Sequence, residues 1–329
     1  METIQHKLYL YKEIYLSLKE ELKWKAADQR VIMMAASLYA VSGKPFHLPS
    51  YLNICDYMKQ YSGLFSPFKS YHRFITAAML DVRYEDPFAK FEEMNHVHDL
   101  LAEAGFRKGI FTYIAALAIM GTAADSPVSL EKASKAYSIY SRMKEKHFFL
   151  TSASDYPLAA LLSHKEEAVN ELVERMETYY DELNRQGFKK GNDLQFLSHI
   201  LSLDEKSNFH SLLSRCTQSA RELEQLGFTI KKKHYPEIGL LSLAGESSRD
   251  LAILAETVDQ LNSDREFKWY KNMNFTAATH LSVSGCIQQA SVLGTGLYTS
   301  MEIVLQAQQA IMIAAIAGSV SSSSDGGGE

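Results

Sequence analysis

Residues 102–108 read AEAGFRK, and at this point one amphipathic segment stops and a more apolar one begins. A glycine just past a helix takes the left-handed conformation that a side chain resists. The bulky apolar residue after it folds back onto the helix just left. The same stop returns as NRQGFKK at 184–190 and EQLGFTI at 224–230, with degraded forms in YSGLFSP around Phe65, KEKHFFLT around Phe149 and DREFKWY around Phe267. With Trp24 added at the front, the markers Trp24, Phe65, Phe106, Phe149, Phe188, Phe228 and Phe267 are spaced by 41, 41, 43, 39, 40 and 39 residues. A period of about 40 residues held along most of a chain is the signature of stacked helical repeats.

Each unit divides into two helices. The first is amphipathic, with apolar residues at helical spacing: Phe91, Met94, His98, Leu101 and Phe106 in one unit, Val169, Leu172, Met176, Tyr179 and Leu183 in another. Its charged second face makes it an outer, half-solvated helix. The second helix is Ala-rich and apolar all round, as in FITAAML (74–80), YIAALAIM (113–120), PLAALL (157–162) and PEIGLLSL (236–243), so it belongs to an inner layer. Tyr-Pro pairs at 156–157 and 235–236 mark inner-helix starts, since a first-turn proline lacks only an N–H that the helix does not use. No stretch alternates like a strand. The expected fold is all-α: an α-solenoid of about seven stacked helix-pair repeats over residues 1–290, a C-terminal capping helix at 291–318, and a disordered Ser/Gly tail at 319–329. The competing architecture is an α/α toroid, in which the pairs close into a ring; the Ala-rich inner helices permit the curvature that closure needs.

Composition narrows the function. The 329 residues carry a net charge of −5, with no basic excess to displace counterions from nucleic acid, so nucleic acid is not an expected partner. Cys55, Cys216 and Cys286 lie far apart and in odd number, which fits free thiols in a reducing, cytoplasmic setting. The N-terminus is charged and amphipathic, unlike a signal peptide. The most apolar run, AIMIAAIA at 310–317, is far short of a transmembrane segment; a helix packed on the domain or on a partner is the expectation, with docking on a membrane or a second copy as a further alternative.

Motifs for chemistry are sparse. His96 and His98 point to different faces of a helix, and HExxH, Cys/His spacing and EF-hand loops are missing, so no metal or other cofactor is expected. GxSxG, SxxK, P-loop and GxGxxG are also missing. Polar residues gather at the inner-helix starts: His72 and Arg73, Asp155 and Tyr156, Asn192 and Asp193, His234 and Glu237. Many are good helix caps, which is reason enough for their presence. His199 falls in register with Leu161 and Leu240, placing an imidazole in an apolar column. It is either a satisfied core histidine or a group on the inner surface.

Charge follows the repeat. Turns from outer to inner helix are basic (Lys69, Arg107, Lys108, Lys189, Lys190, then Lys231, Lys232, Lys233, Lys268 and Lys271). The return turns are acidic (Asp81, Glu85, Asp86, Glu166, Glu167, then Asp204, Glu205, Glu246 and Asp250). Acids before and bases after outer helices complement the helix dipole, at about 0.3–1 kcal/mol each. The same bases sit at inner-helix starts, where the dipole disfavours them. A basic edge of Arg107, Lys108, Lys189, Lys190, Lys231, Lys232 and Lys233 therefore offers itself to an anionic partner.

The segments LFSPFKSYHRFITAAMLDVRYEDP, HFFLTSASDYPLAALL and GFKKGNDLQFLSHILSLDE resemble the bacterial family catalogued as domain of unknown function 4003, over roughly residues 10–290. The resemblance implies a cytosolic helical protein and carries over no reaction, ligand or catalytic residue. Two functions are then weighed. The leading one is a non-enzymatic scaffold that binds a protein or acidic peptide along its concave face and basic edge. The alternative is a toroid enzyme whose pocket is lined by inner-helix polar groups, drawn from Asp155, Tyr156, Asn192, Asp193 and His199. Contact between the first and last helix pairs around a deep pocket with convergent carboxylates favours the enzyme; an open arc favours the scaffold.

Overall fold

The computed structural model describes residues 3–23, 25, 28–64, 66–120, 127–204, 207–245 and 250–289. Fourteen α-helices and no strand occur among the described residues: α1 (Ile4–Leu22), α2 (Gln29–Ser42), α3 (Leu48–Tyr61), α4 (His72–Arg83), α5 (Pro87–Ala104), α6 (Ile110–Met120), α7 (Leu130–Lys146), α8 (Tyr156–Leu162), α9 (Val169–Arg185), α10 (Asn192–Leu201), α11 (Phe209–Gln225), α12 (Tyr235–Ala244), α13 (Leu251–Ser263) and α14 (Lys271–Gln289). Trp24, Phe65 and the expected capping helix and tail at 291–329 lie outside the described residues, and with them the expected self-association through that helix.

Odd-numbered helices form the outer layer and even-numbered ones the inner layer. α9 buries one stripe, Leu172, Val173, Met176, Tyr179, Tyr180 and Leu183, and leaves its other face to solvent. By contrast, α8 is buried over its whole length, as is α12. Acids of the return turns cap the outer helices. Asp86 accepts from the backbone N–H groups of Phe88 and Ala89, and Asp250 from those of Ala252 and Ile253.

The glycine stops have the predicted geometry. After α5 the Gly105 N–H donates to the Ala102 carbonyl and the Phe106 N–H to that of Leu101; the pattern repeats at Gly187–Phe188 and Gly227–Phe228. Each phenylalanine then wedges against the next pair. Phe106 meets Tyr156 edge-on at 4.7 Å between ring centroids, Phe188 meets Tyr235 at 4.9 Å, and Phe228 lies 5.4 Å from Phe275. Phe149 departs from this pattern: it is 94% exposed. No glycine follows α7, so the chain leaves by a longer turn, and Thr151 takes the buried place, its hydroxyl donating to the Met143 carbonyl.

The inner helices pack side to side (α2 on α4, α6 on α8, α10 on α12, α12 on α14), and α14 packs back on α2 and α1. Phe267, the last marker, inserts between Tyr11 and Tyr15 of α1, with centroid distances of 5.4 and 4.5 Å. Around it Lys12 pairs with Asp264 at 2.8 Å, Lys19 pairs with Glu266, and the buried Lys7 ammonium donates to the Ser284 hydroxyl at 2.9 Å. The first and last described pairs thus share one apolar seam, and the helix pairs close on themselves. Contact between the first and last pairs is what the ring, held as the alternative, requires. The physical reason is that an exposed Phe267 stripe on one end and an exposed Tyr11–Tyr15 stripe on the other both gain by mutual burial, at about 1.5–3 kcal/mol per large side chain.

Candidate functional site

Closure brings the starts of five inner helices around one cavity of about 1020 Å³. α2 contributes Asp28, Gln29 and Arg30; the turn before α8 contributes Ser154 and Asp155; α10 contributes Asn192, Asp193 and Phe196. α12 and its approach add Lys233, His234, Pro236 and Glu237, and the α13–α14 turn adds residues 269–273 with Thr276 beyond. Four carboxylates from four separate helix starts converge here, a grouping that no local motif encodes.

Their environments differ. Asp28 caps α2, accepting the Arg30 N–H at 2.8 Å, and its carboxylate grips the Arg30 guanidinium at 2.5 Å. Burial pushes this carboxyl up, but the Arg30 side chain, its backbone N–H and its charge together bring it below the usual range. Asp155 ends a 3-10 turn (Ala153–Asp155), where a capping box with Ser152 fixes it. It is only 6% exposed, and burial raises it to about 7 against the single opposing bond from the Ser152 N–H at 2.8 Å. Asp193, in the first turn of α10, is also raised by burial, partly offset by the Lys232 charge and its own backbone N–H. Glu237 is 2% exposed, and its Oε1 accepts the Thr276 hydroxyl across α12 and α14 at 2.6 Å.

Cations and aromatics complete the wall. Arg30, Lys233 and Lys271 stand at the mouth, and Trp269, 80% exposed, stands at its rim near Tyr270. The His234 Nδ1 accepts the Lys231 N–H at 3.2 Å, which assigns the remaining proton of the neutral ring to Nε2. Burial, then the Lys233 and Lys231 charges, lowers this imidazole to about 4. Among the described residues no three His, Cys, Asp or Glu side chains are grouped to hold a metal ion.

Of the inner-surface candidates, Asp155, Asn192 and Asp193 come together in the cavity, and Tyr156 and His199 do not line it. Tyr156 is buried against Phe106 and Tyr140, and its hydroxyl accepts the Arg107 backbone N–H. Tyr235 does the same for the Lys189 N–H at 2.9 Å, so the Tyr-Pro pairs are joints between units. His199 lies deeper in α10, 1% exposed and lowered to about 3 by burial and then the His147 charge. It is a core histidine. His72 and Arg73 are likewise buried at the start of α4, away from the cavity.

Of the basic-edge residues, Arg107, Lys108, Lys189, Lys190, Lys231, Lys232 and Lys233 are all exposed, on the outer-to-inner turns. Lys108 reaches Asp99 at 3.1 Å, Lys232 donates to the Lys190 carbonyl at 2.8 Å, and Lys233 enters the cavity wall. The sequence motifs gave no notice of Asp28, Arg30 or Trp269. The first sits before α2, where the repeat has no Gly-Phe stop. Trp269 follows the last marker by two residues, and only closure carries it to the mouth.

These features define an all-α protein of paired helices with an acidic cavity at one mouth. The chain belongs to the family described as "Protein of unknown function (DUF4003)", which matches residues 14–310. The match reaches past residue 290, where the resemblance ended, to the start of the C-terminal apolar run. The chain is 33% identical over 314 residues, 95% of its length and 94% of the relative's, to "Uncharacterized protein YeaA" of Bacillus subtilis (strain 168). No solved structure matches.

Proposed function

We propose that the protein is an enzyme that carries out acid–base chemistry on a small polar molecule entering the mouth of the ring. The observation that carries this reading is Asp155, a cavity-lining carboxyl held neutral up to about pH 7 by burial, in the same cavity as a second raised carboxyl, Asp193. A carboxyl whose pKa lies near working pH is both present as the acid and able to give up its proton, the condition for general acid catalysis. Asp155 is the proton donor in this scheme and Asp193 the base, with Glu237, braced by Thr276, orienting a hydroxyl or amine of the substrate. Arg30, Lys233 and Lys271 supply positive charge for an anionic or developing oxyanion group. The closed ring favours this reading over the scaffold, because the concave face becomes a cavity wall rather than an open groove. Cys55 and Cys216, buried and outside any disulfide, support a reducing, cytoplasmic location.

The test starts with the Asp155 carboxyl, observed by carbon-13 NMR against Asp155→Asn. A titration near pH 7 is expected, and an ordinary value near 4 removes the proton donor. Screening chromogenic glycosides, esters and phosphates then looks for turnover that falls about 10²–10⁴-fold in Asp155→Asn. Turnover indifferent to that change contradicts the assignment. Asn keeps an acceptor for the Ser152 N–H, so the turn itself survives.

A further inference from the structure

The cavity mouth and the outer-to-inner turns share one face of the ring. Five of these turns line the cavity. Neighbouring turns are stitched together, as where the Lys189 N–H donates to the Tyr235 hydroxyl and the Lys232 ammonium to the Lys190 carbonyl. Tyr71, at the start of α4, lies within electrostatic reach of Asp28, which places the α3–α4 turn on this face too.

The four most exposed large apolar side chains among the described residues all sit on these turns: Phe149 (94%), Leu64 (85%), Trp269 (80%) and Phe148 (66%). Leu226 joins them from the α11–α12 turn. Away from these turns Tyr9 and Leu16 of α1 are 59% and 46% exposed, and Leu130 and Ile253 at the opposite end 41% and 36%. Single exposed apolar residues need no explanation, but their concentration on one face does. The same face is basic. Lys268 lies over the Trp269 ring at 5.1 Å and Lys144 over that of Phe148 at 5.6 Å, and Arg107, Lys108, Lys189 and Lys190 fill the turns between. Asp264 pairs with Lys12, Glu266 with Lys19 and Glu145 with Arg142, while Asp28, Asp155, Asp193 and Glu237 line the cavity itself, so the basic side chains are those on the surrounding turns.

We infer that the mouth face docks on an anionic lipid bilayer, with Leu64, Phe148, Phe149 and Trp269 entering the interface and the basic turns meeting the headgroups. Bulky apolar tips mixed with Lys and Arg are what peripheral attachment uses, hydrophobic insertion adding to attraction by acidic lipids. The distribution favours a bilayer over an acidic peptide. The apolar tips stand on four separate turns around the ring, where a plane reaches all of them at once; a peptide needs a continuous groove. Among the described residues no helix is long and apolar enough to cross a membrane, so the attachment is peripheral. The docking surface stands independently of the chemistry assigned to the cavity.

The full chain is sedimented with vesicles of phosphatidylcholine alone and of phosphatidylcholine mixed with phosphatidylglycerol, at low and high salt. The expected result is recovery with the anionic vesicles only, lost at high salt as charges are screened. In the double variant Phe148→Ser, Phe149→Ser binding falls about tenfold or more, consistent with two inserted side chains, while the melting temperature stays unchanged because both are exposed. Equal recovery with and without phosphatidylglycerol overturns the proposal, as does a double variant that binds like the parent. Salt-sensitive binding to polyglutamate without vesicle binding assigns the face to an acidic peptide and overturns it as well.

Discussion

Gly105 shows what a single residue contributes to the register of this fold. Its φ of 120° lies where side chains are strained, and a Cβ added there would stand 2.7–2.9 Å from the Tyr137 ring. Gly187 occupies the same position one stop later, with φ of 101° and nothing within 4 Å. Alanine at 187 is therefore expected to cost about 1–2 kcal/mol for the left-handed backbone alone, and alanine at 105 about 1–3 kcal/mol more for displacing the ring. Equal losses in urea unfolding would contradict the close approach of Tyr137. His199 gives a second test at this scale. Its folded pKa, about 3, lies below the unfolded value near 6.5, so the native state binds fewer protons in that interval. Its neutral burial costs no stability above pH 6.5 and progressively more as pH falls toward the folded value. His72 and His234, at about 4, act in the same direction. Asp155 runs the other way, since its raised pKa makes stability fall as pH rises from about 4 to about 7. Replacing His199 by leucine, the residue at the equivalent places 161 and 240, should flatten the acid-side loss by about 1.4 kcal/mol per pH unit within the window. A stability–pH curve identical to the parent's would show that this imidazole is not buried neutral.

At the scale of the helices, close inner packing is the organising feature. Gly239 of α12 faces α10 so tightly that a Cβ would stand 2.9 Å from Leu197 Cδ1 and 3.1 Å from Ile200 Cγ2. Alanine favours a helix interior by about 1 kcal/mol over glycine, yet overpacking costs about 1–3 kcal/mol. Gly239→Ala is accordingly expected to lower the melting temperature despite its better propensity, and a rise would mean the two helices can part at little cost. The paired helices were legible because their causes are local: apolar spacing separates α9 from α8, and the Gly-Phe stops define where Phe106 and Phe188 turn back. The Tyr-Pro starts were legible too, although their role as joints emerged only from the hydroxyl of Tyr235 reaching Lys189. Phe149 was misplaced because KHFF lacks the glycine that makes the turn short. For the site, Asp155, Asn192 and Asp193 could be singled out as polar groups at inner-helix starts. Tyr156 could not be separated from them, since spacing says which turn a residue occupies and not which way its side chain faces.

For the whole molecule, the decisive contacts join residues about 250 positions apart, and no repeat period reports them. Lys12 and Asp264 carry no mutual signal in the sequence; they meet because the curvature accumulated over seven helix pairs brings Phe267 onto Tyr11 and Tyr15. That closure turns scattered caps into a four-carboxylate cavity and places Trp269 on its rim. Zero-length carbodiimide cross-linking of the monomer, read by mass spectrometry, tests it most directly, because it joins only amines and carboxylates already in contact. An isopeptide between Lys12 and Asp264 or between Lys19 and Glu266 is expected, alongside short-range links such as Lys90 to Glu93. Short-range links with none between α1 and the α13–α14 turn would mean an open arc, and would contradict closure.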